Sequence, residues 1–424
     1  MNSEPVGLSD LAVFAPQARL SIATLAAKRI QENPDLQKHL DRALATTGQQ
    51  AMRFPQLWED TITLGAEALR TLLSRKSEAQ RMGLRYLTMG TETSVDMSKA
   101  GSSYLQGLMA KTAFPLPANL ASFQVQQACA GGSLAALTLS GSLKAFGRPG
   151  DAAVVVTSDI ARYAAPSTAE VTQGAGATAL WLETSPQLLE FDLDSIGLFS
   201  KDVDDFFRPL GSTTAKVRGG FSLACYHEAF LEAFADHCRR AGVSPQEELA
   251  SIDAFCLHVP YAQMPVGALE KLFTLHTSSS PDQIREHLTQ RGFFESLVPA
   301  GLLGNLYTGS LWLSLAWSLH ERSQVWGSQL VGKKYLLASY GSGNTMAVWT
   351  AKVASGAKAV IDAWDWRALM DPTPEASWES YLAWLASEKS FETYSSLFDP
   401  TQVPAGRFYL RALRADGYRD YHVS

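Results

Sequence analysis

Four polar side chains in this sequence stand where an apolar segment ends or a helix opens, and their types are those that attack, abstract and bind. Cys129 lies in "QQACAGGSLAALTLSGSLKAFGRPG" (126–150), followed by Ala130, Gly131 and Gly132 and then a mostly apolar helical run. A thiol beside a helix N-terminus sits in partial positive charge and among free N–H groups, which lower its pKa and can bind an oxyanion. A cysteine is equally a small buried side chain in many cores. Glu92 closes the apolar run "LRYLTMGTE", between Thr91 and Thr93, and acids seldom occupy such buried ends without a partner or a task. His258 ends "SIDAFCLHVP"; Val259-Pro260 keeps the chain extended there, so no helix starts before Pro260. Asn305 opens "GNLYTGSLWLSLAWSLHER", either as a plain helix cap or as an amide aimed at a reacting oxygen. Each has an ordinary packing explanation alone. At matching ends of a repeated unit the same four read as a site.

The elements that must position them alternate. Leu84–Glu92 reads as a strand and Ala128–Phe146 as a helix stopped by "GRPGD". Ala152–Asp159, "AAVVVTSD", reads as a buried strand, and Gly174–Glu183, "GAGATALWLE", as a glycine turn feeding another. The order then recurs: a strand ending at His258, a long apolar helix from near Asn305, the strand "KYLLASYGSG" (334–343) and its hairpin partner "NTMAVWTAKV" (344–353). The pattern predicts an internally duplicated α/β unit, with strand ends and helix starts of both copies meeting at one crevice. "GAGATA" fits G-x-G-x-x-A, but a strand follows it where the dinucleotide fingerprint needs a helix, so its glycines read as turn and packing residues. "FDLDSIGLFSKDVDDFFRP" lacks EF-hand spacing and reads as a solvated loop. The aromatic tail "DAWDWRALMDPTPEASWESYLAWLASEKSFETYSSLF" reads as helices packed on the second half.

Composition narrows the class. At 424 residues and 46% hydrophobic, the chain can build a large core. A net charge of −6 argues against nucleic acid or an anionic membrane as partner. The four cysteines, Cys129, Cys225, Cys238 and Cys256, have no C-x-x-C spacing, which argues against zinc and a disulfide scaffold and for a reducing compartment. No basic n-region precedes an apolar core at the N-terminus, and no apolar run has the length of a bilayer span. A cytoplasmic protein is expected.

At these residues the sequence resembles the 3-hydroxy-3-methylglutaryl-CoA synthase family, a branch of the thiolase-fold condensing enzymes. The resemblance is carried in order by "GTETSVDMSKA", "ACAGG", "SDIARY", "TQGAGATAL", "DDFFRPLG", "LHVPYAQM", "GNLYTGSLWLSLA" and "YGSG". It implies an α/β thiolase-like fold, two duplicated βαβαβαββ halves packed as a layered αβαβα structure. The halves would be 1–183, carrying Glu92 and Cys129, and 184–424, carrying His258, Asn305 and a helical extension.

The resemblance further implies a homodimer that condenses acetyl-CoA with acetoacetyl-CoA without a metal or cofactor. Cys129 would take the acetyl group, and Glu92 would remove a methyl proton and later assist hydrolysis. His258 would hydrogen-bond the C3 oxygen of acetoacetyl-CoA. Asn305, Ser342 and Tyr307 would hold substrate, with Asp96, Asp159 and Asp205 supporting the geometry. Backbone N–H groups near Cys129 and Ser342 would face the enolate oxygen.

The departures are Ala130 where the family usually has tyrosine, Gln127 two before the cysteine, and Gln263 where a lysine often follows H-x-P. Arg218 in "VRGG" is a candidate replacement for that lysine, and the segment between Glu92 and Cys129 is longer, through "TAFPLPANLASF". The rival readings are a β-branching synthase acting on thioesters tethered to an acyl carrier protein, a Cys-His-Asn ketoacyl synthase, which the carboxylate of Glu92 disfavours, and a degenerate subunit that binds a partner without catalysis.

Overall fold

The β-branched run after Gly150 becomes the central strand Ala152–Ala161, whose residues are nearly all buried. In a computed structural model describing residues 4–371, 373–387 and 398–424, this strand lies parallel to Leu84–Gly90 and antiparallel to Gly174–Thr184. Gly174–Thr184 pairs antiparallel with Val6–Phe14 in turn. The same succession recurs later in the chain. Ala254–Leu257 runs parallel to Lys334–Gly341, which pairs antiparallel with Thr345–Val353, which pairs antiparallel with Gly197–Ser200. In each set a long helix, Gly131–Phe146 or Ser310–Trp326, crosses between the parallel strands.

The short strand Leu189–Phe191 bonds both Val6–Phe14 and Thr345–Val353, so the two sets share one ten-stranded sheet. The first set has an extra strand, Ala121–Val125, beside Leu84–Gly90.

The layers follow from which faces are apolar. Gly131–Phe146 and Ser310–Trp326 lie between the two sets of strands; Leu139, Leu143, Trp312 and Leu315 share one core with Leu8, Val155, Leu337 and Trp349. Thr61–Ser74 and Gly101–Met109 cover the outer face of the first set, and Gly219–Ala241 and Met264–His276 that of the second. The result is the α/β thiolase-like arrangement of five layers. Among the described residues no helix is long and apolar enough to cross a membrane.

Three expectations change. The segment read as a solvated loop carries the sheet strand Gly197–Ser200 and the fully buried Asp205. Neither site helix begins where the pattern placed it. The first starts at Gly131, and residues 127–130 form a tight turn in which Ala130 N–H donates to the Gln127 carbonyl at 3.0 Å. In the second, the Asn305 side chain accepts from Tyr307 N–H at 2.8 Å and caps a 3₁₀ turn, Tyr307–Gly309, ahead of the α-helix at Ser310.

The tail, moreover, packs mainly on the first half. Its opening stretch does stay on the second half, with Trp364 and Trp366 against the middle-layer core and Leu369 against Leu303, Leu306 and Leu313. Trp378–Ala386 buries Tyr381 and Trp384 against Leu20, Leu25 and Phe54, and the hairpin Phe408–Leu413/Arg419–Val423 closes over Leu69, Leu72 and Leu105. The aromatic side chains follow the uncovered apolar surface, which lies there. The segment "EKSFETYSSL" of that tail lies outside the described residues.

The Tyr381 hydroxyl donates to Glu170 Oε1 at 2.9 Å and accepts from Gln173 at 2.8 Å, beside the buried Arg29–Glu170 ion pair. Tyr381→Phe leaves those buried groups short of a partner. It is expected to lower unfolding stability by about 1–3 kcal/mol in a urea titration.

Candidate active site

Close backbone approach builds the site. A Cβ on Gly90, at the end of Leu84–Gly90, would lie 2.4 Å from the backbone N and Cα of Gly132. A Cβ on Gly341 would lie 2.3 Å from the Gln127 carbonyl oxygen. Only glycine lets these strand ends touch the turn that carries Cys129. Ala128, just before the cysteine, has φ 41°, and Tyr307 has φ 45°. Such left-handed conformations in non-glycine residues cost about 1–3 kcal/mol each and persist where the surroundings over-determine them.

Beyond Gly90 the chain wraps around Asp159, which is fully buried. Its Oδ1 accepts from the Thr91 hydroxyl at 2.8 Å, Glu92 N–H at 3.0 Å, Thr93 N–H at 3.1 Å and the Thr93 hydroxyl at 2.8 Å. Its Oδ2 accepts from Thr308 N–H at 3.1 Å and from the Thr308 hydroxyl. Burial raises the pKa of this carboxyl, and the donors from Thr308, Thr93 and Thr91 oppose the rise. Asp159 therefore fixes the Glu92 corner to the turn beside Asn305.

Glu92 Oε2 stands 3.7 Å from Cys129 Sγ. Burial pushes the Glu92 carboxyl up to about 8; the Arg208 guanidinium pulls it down and Asp159 adds to the rise. Burial also pushes the Cys129 thiol well up, with the Glu92 and Asp159 carboxylates adding to it. The expectation of a thiol acidified by a helix N-terminus is thus reversed. Cys129 precedes the helix instead of capping it, and it lies in a dry site beside two acids. At rest it is a protonated thiol pointing at the Glu92 carboxyl group.

Arg208, from "DDFFRPLG", is the residue that sequence reasoning missed. Its Nη2 is 3.5 Å from Glu92 Oε1, and its Nη1 donates to the Glu92 carbonyl. The available signal was that it is the only cation in a segment already picked out for its resemblance.

Cys129 lines a cavity of about 950 Å³ together with His258, Asn305, Tyr307 and Ser342. His258 Nδ1 is 2.6 Å from the Ser310 hydroxyl, which accepts from Val259 N–H at 3.2 Å, so Nε2 is the nitrogen left for a ligand. Burial brings the imidazole down to about 3, so it is neutral. Tyr163, Phe206 and Tyr307 form the apolar wall around the sulfur that Ala130 cannot supply. Asp205 is buried and accepts from the Tyr340 hydroxyl at 2.8 Å, Gly343 N–H at 2.9 Å and the Ser222 hydroxyl at 3.0 Å, bracing the turn of Ser342.

Asp96 stands apart from the cavity lining. It accepts from Ser98 N–H and Lys99 N–H at 2.8 Å and from the Tyr104 hydroxyl at 3.0 Å. Arg218 is also off the lining, paired with Asp204 at 2.8 Å on the surface, whereas Arg42 and Lys216 are on it, with Gln263. All four cysteines are free and buried, and no cluster of metal-ligating side chains occurs among the described residues.

The family model described as hydroxymethylglutaryl-coenzyme A synthase N terminal matches residues 6–186, and its C-terminal counterpart matches residues 283–423. The chain belongs to the hydroxymethylglutaryl-coenzyme A synthase family. It is 29% identical to the hydroxymethylglutaryl-CoA synthase of Enterococcus faecalis over 93% of this chain and 95% of that one. It is 25% identical to the polyketide biosynthesis 3-hydroxy-3-methylglutaryl-ACP synthase PksG of Bacillus subtilis, over 80% of this chain and 77% of that one. Among solved structures, MvaS in complex with 3-hydroxy-3-methylglutaryl coenzyme A superposes with a TM-score of 0.83 at 29% identity, covering 99% of both chains. In this member of the synthase family the carboxylate nearest the cysteine titrates far above its unfolded value, which has a measurable consequence.

A raised folded-state pKa means that the folded protein holds a proton the unfolded chain gives up, so stability is lost as pH rises from about 4.5 through about 8. Glu92→Gln removes that penalty. Thermal unfolding of the variant and the parent is expected to coincide near pH 5, with the variant melting higher at pH 8.5.

Proposed function

We propose that this protein condenses acetyl-CoA with acetoacetyl-CoA to give 3-hydroxy-3-methylglutaryl-CoA, with Cys129 as nucleophile, Glu92 as general base and His258 as hydrogen-bond donor to the electrophile. The observation that carries this reading is the 3.7 Å contact between the buried Glu92 carboxylate and the Cys129 sulfur, beside a cavity that His258 also lines. The division into halves at 183/184 belongs to the same reading and is supported by the repeated strand pairing.

The steps follow from the groups present. Cys129 passes its proton to Glu92 as its sulfur attacks the acetyl carbonyl, and that proton leaves on the CoA thiol. Glu92 then takes a proton from the methyl group of the acetyl thioester, a task in which a positioned base contributes about 10²–10⁴-fold. The enolate oxygen is met by backbone N–H groups near Cys129 and Ser342. The carbanion carbon bonds to C3 of acetoacetyl-CoA, whose oxygen accepts from His258 Nε2–H. A neutral imidazole suits that role, because it stabilises the developing alkoxide without carrying a competing charge. The alkoxide takes the proton from Glu92, and water finally splits the thioester to Cys129, with Glu92 again as base. Asn305 and Tyr307 hold the second substrate, and Asp159, Asp205 and Asp96 keep the surrounding turns in place.

A carrier-protein thioester is the second reading, favoured by the relative from Bacillus subtilis. Arg42 and Lys216 at the cavity favour CoA instead, since its phosphates need cations and a pantetheine arm alone does not.

Intact-mass measurement after mixing with acetyl-CoA is expected to show one acetyl group, absent in Cys129→Ser and discharged on adding acetoacetyl-CoA. Glu92→Gln is expected to lower turnover by about 10²–10⁴-fold, and turnover of the parent to rise with pH until Glu92 has ionised near pH 8. No adduct on the parent protein would sink the reading. Lys216→Ala with Arg42→Ala is expected to raise KM for acetyl-CoA about tenfold and leave KM for acetyl-pantetheine unchanged, as two exposed charge–phosphate contacts would. Equal effects on both donors would favour the carrier protein.

A further inference from the structure

Glu92 stands between two cavities. One of its oxygens faces Cys129, and it is Cys129 that lines the large cavity. The other faces Arg208, and both Glu92 and Arg208 line a second cavity of about 230 Å³ on the far side, with Thr93, Val95 and Thr213. Cys129, His258 and Asn305 do not line this second space. At ~30 Å³ per water it holds several molecules, and Thr213 on its rim is exposed. Three buried polar atoms mark the wall between the cavities. Glu92 Oε1 and Arg208 Nη2 face each other at 3.5 Å as an ion pair without a hydrogen bond, and Arg208 Nε has no hydrogen-bond partner among the described residues. Groups of this kind are ordinarily completed by ordered water, and each such case asks for an explanation.

We propose that the second cavity is a water and proton port to Glu92, used when the large cavity is filled by substrate. The inference rests on the proposed condensation, which ends in hydrolysis. At that stage the condensed acyl group on Cys129 and its pantetheine arm fill the large cavity, yet a water must still reach the thioester carbon. Arriving past Arg208, it meets Glu92 first, on the side away from the arm. The water oxygen bonds to the thioester carbon while one of its protons passes to Glu92. The carbon–sulfur bond breaks, and Glu92 returns that proton to the Cys129 sulfur. The new carboxylic acid ionises, and its proton leaves through the same port. No other reactant is required. Arg208, held by the Glu92 carbonyl and carboxylate, is the side chain that the water must pass.

The port can be filled from two walls without touching the polar network, by Val95→Phe and, separately, by Thr213→Phe. Discharge of two adducts is then compared by quenched-flow intact mass. One is acetyl-Cys129 alone, where the large cavity is open to solvent. The other is the condensed adduct formed after acetoacetyl-CoA is added. Each plug is expected to leave acetylation and acetyl discharge within about twofold of the parent. Discharge of the condensed adduct is expected to slow about tenfold, so that this species accumulates, and Val95→Ala is expected not to slow it. Equal slowing of both discharges, or of neither, in both plugged variants overturns the port. Failure of the parent to form any adduct is a different result and overturns the condensation reading itself.

Discussion

The site depends on a single buried carboxylate that lines neither cavity. Asp159 sits at the end of the central strand and gathers donors from Thr91, Glu92 and Thr93 on one side and from Thr308 on the other. An ionised carboxylate in such a place would be costly, and donors on both oxygens reduce that cost. In return, two chain segments far apart in sequence are held in one register. The proposed base, Glu92, comes from one, and the turn of Asn305 and Tyr307, proposed to hold substrate, from the other. The glycines at 90, 132 and 341 allow the approach, and Asp159 fixes its angle.

Burial then sets the chemistry. The same dry environment that raises Glu92 raises Cys129, so neither is ionised for long without the other taking the proton. Arg208 moderates this by favouring the charged carboxylate. Without that cation the Glu92 pKa would rise further and the carboxyl would stay protonated at working pH. His258 experiences burial with the opposite effect, since desolvation removes its charge and leaves a hydrogen-bond donor. One physical cause thus prepares an acid, a base and a neutral donor for different tasks.

Much of this was legible in the chain. The β-branched strand at 152, the apolar helices after Cys129 and Asn305 and the strand ends at Glu92 and His258 are short-range patterns; their repetition predicted a duplicated α/β unit, and the family resemblance supplied the layered plan. What escaped was set at long range. The direction of the thiol's pKa depends on how deep Cys129 lies and on which acids face it, and neither is written in "ACAGG". Arg208 reaches Glu92 from more than a hundred residues away in sequence, so spacing could not pair them. The tail's aromatic pattern announced burial without saying against what, and the open surface was around Phe54 and Leu105. The site helices started late because strained turns precede them, and those turns exist only where another strand presses on the backbone.

The strand Leu189–Phe191 has a consequence of its own. By bonding to Val6–Phe14 on one edge and Thr345–Val353 on the other, it makes the two sets of strands one continuous hydrogen-bonded ladder. A clamshell movement would have to tear that seam, so ligand entry cannot rely on the halves swinging apart.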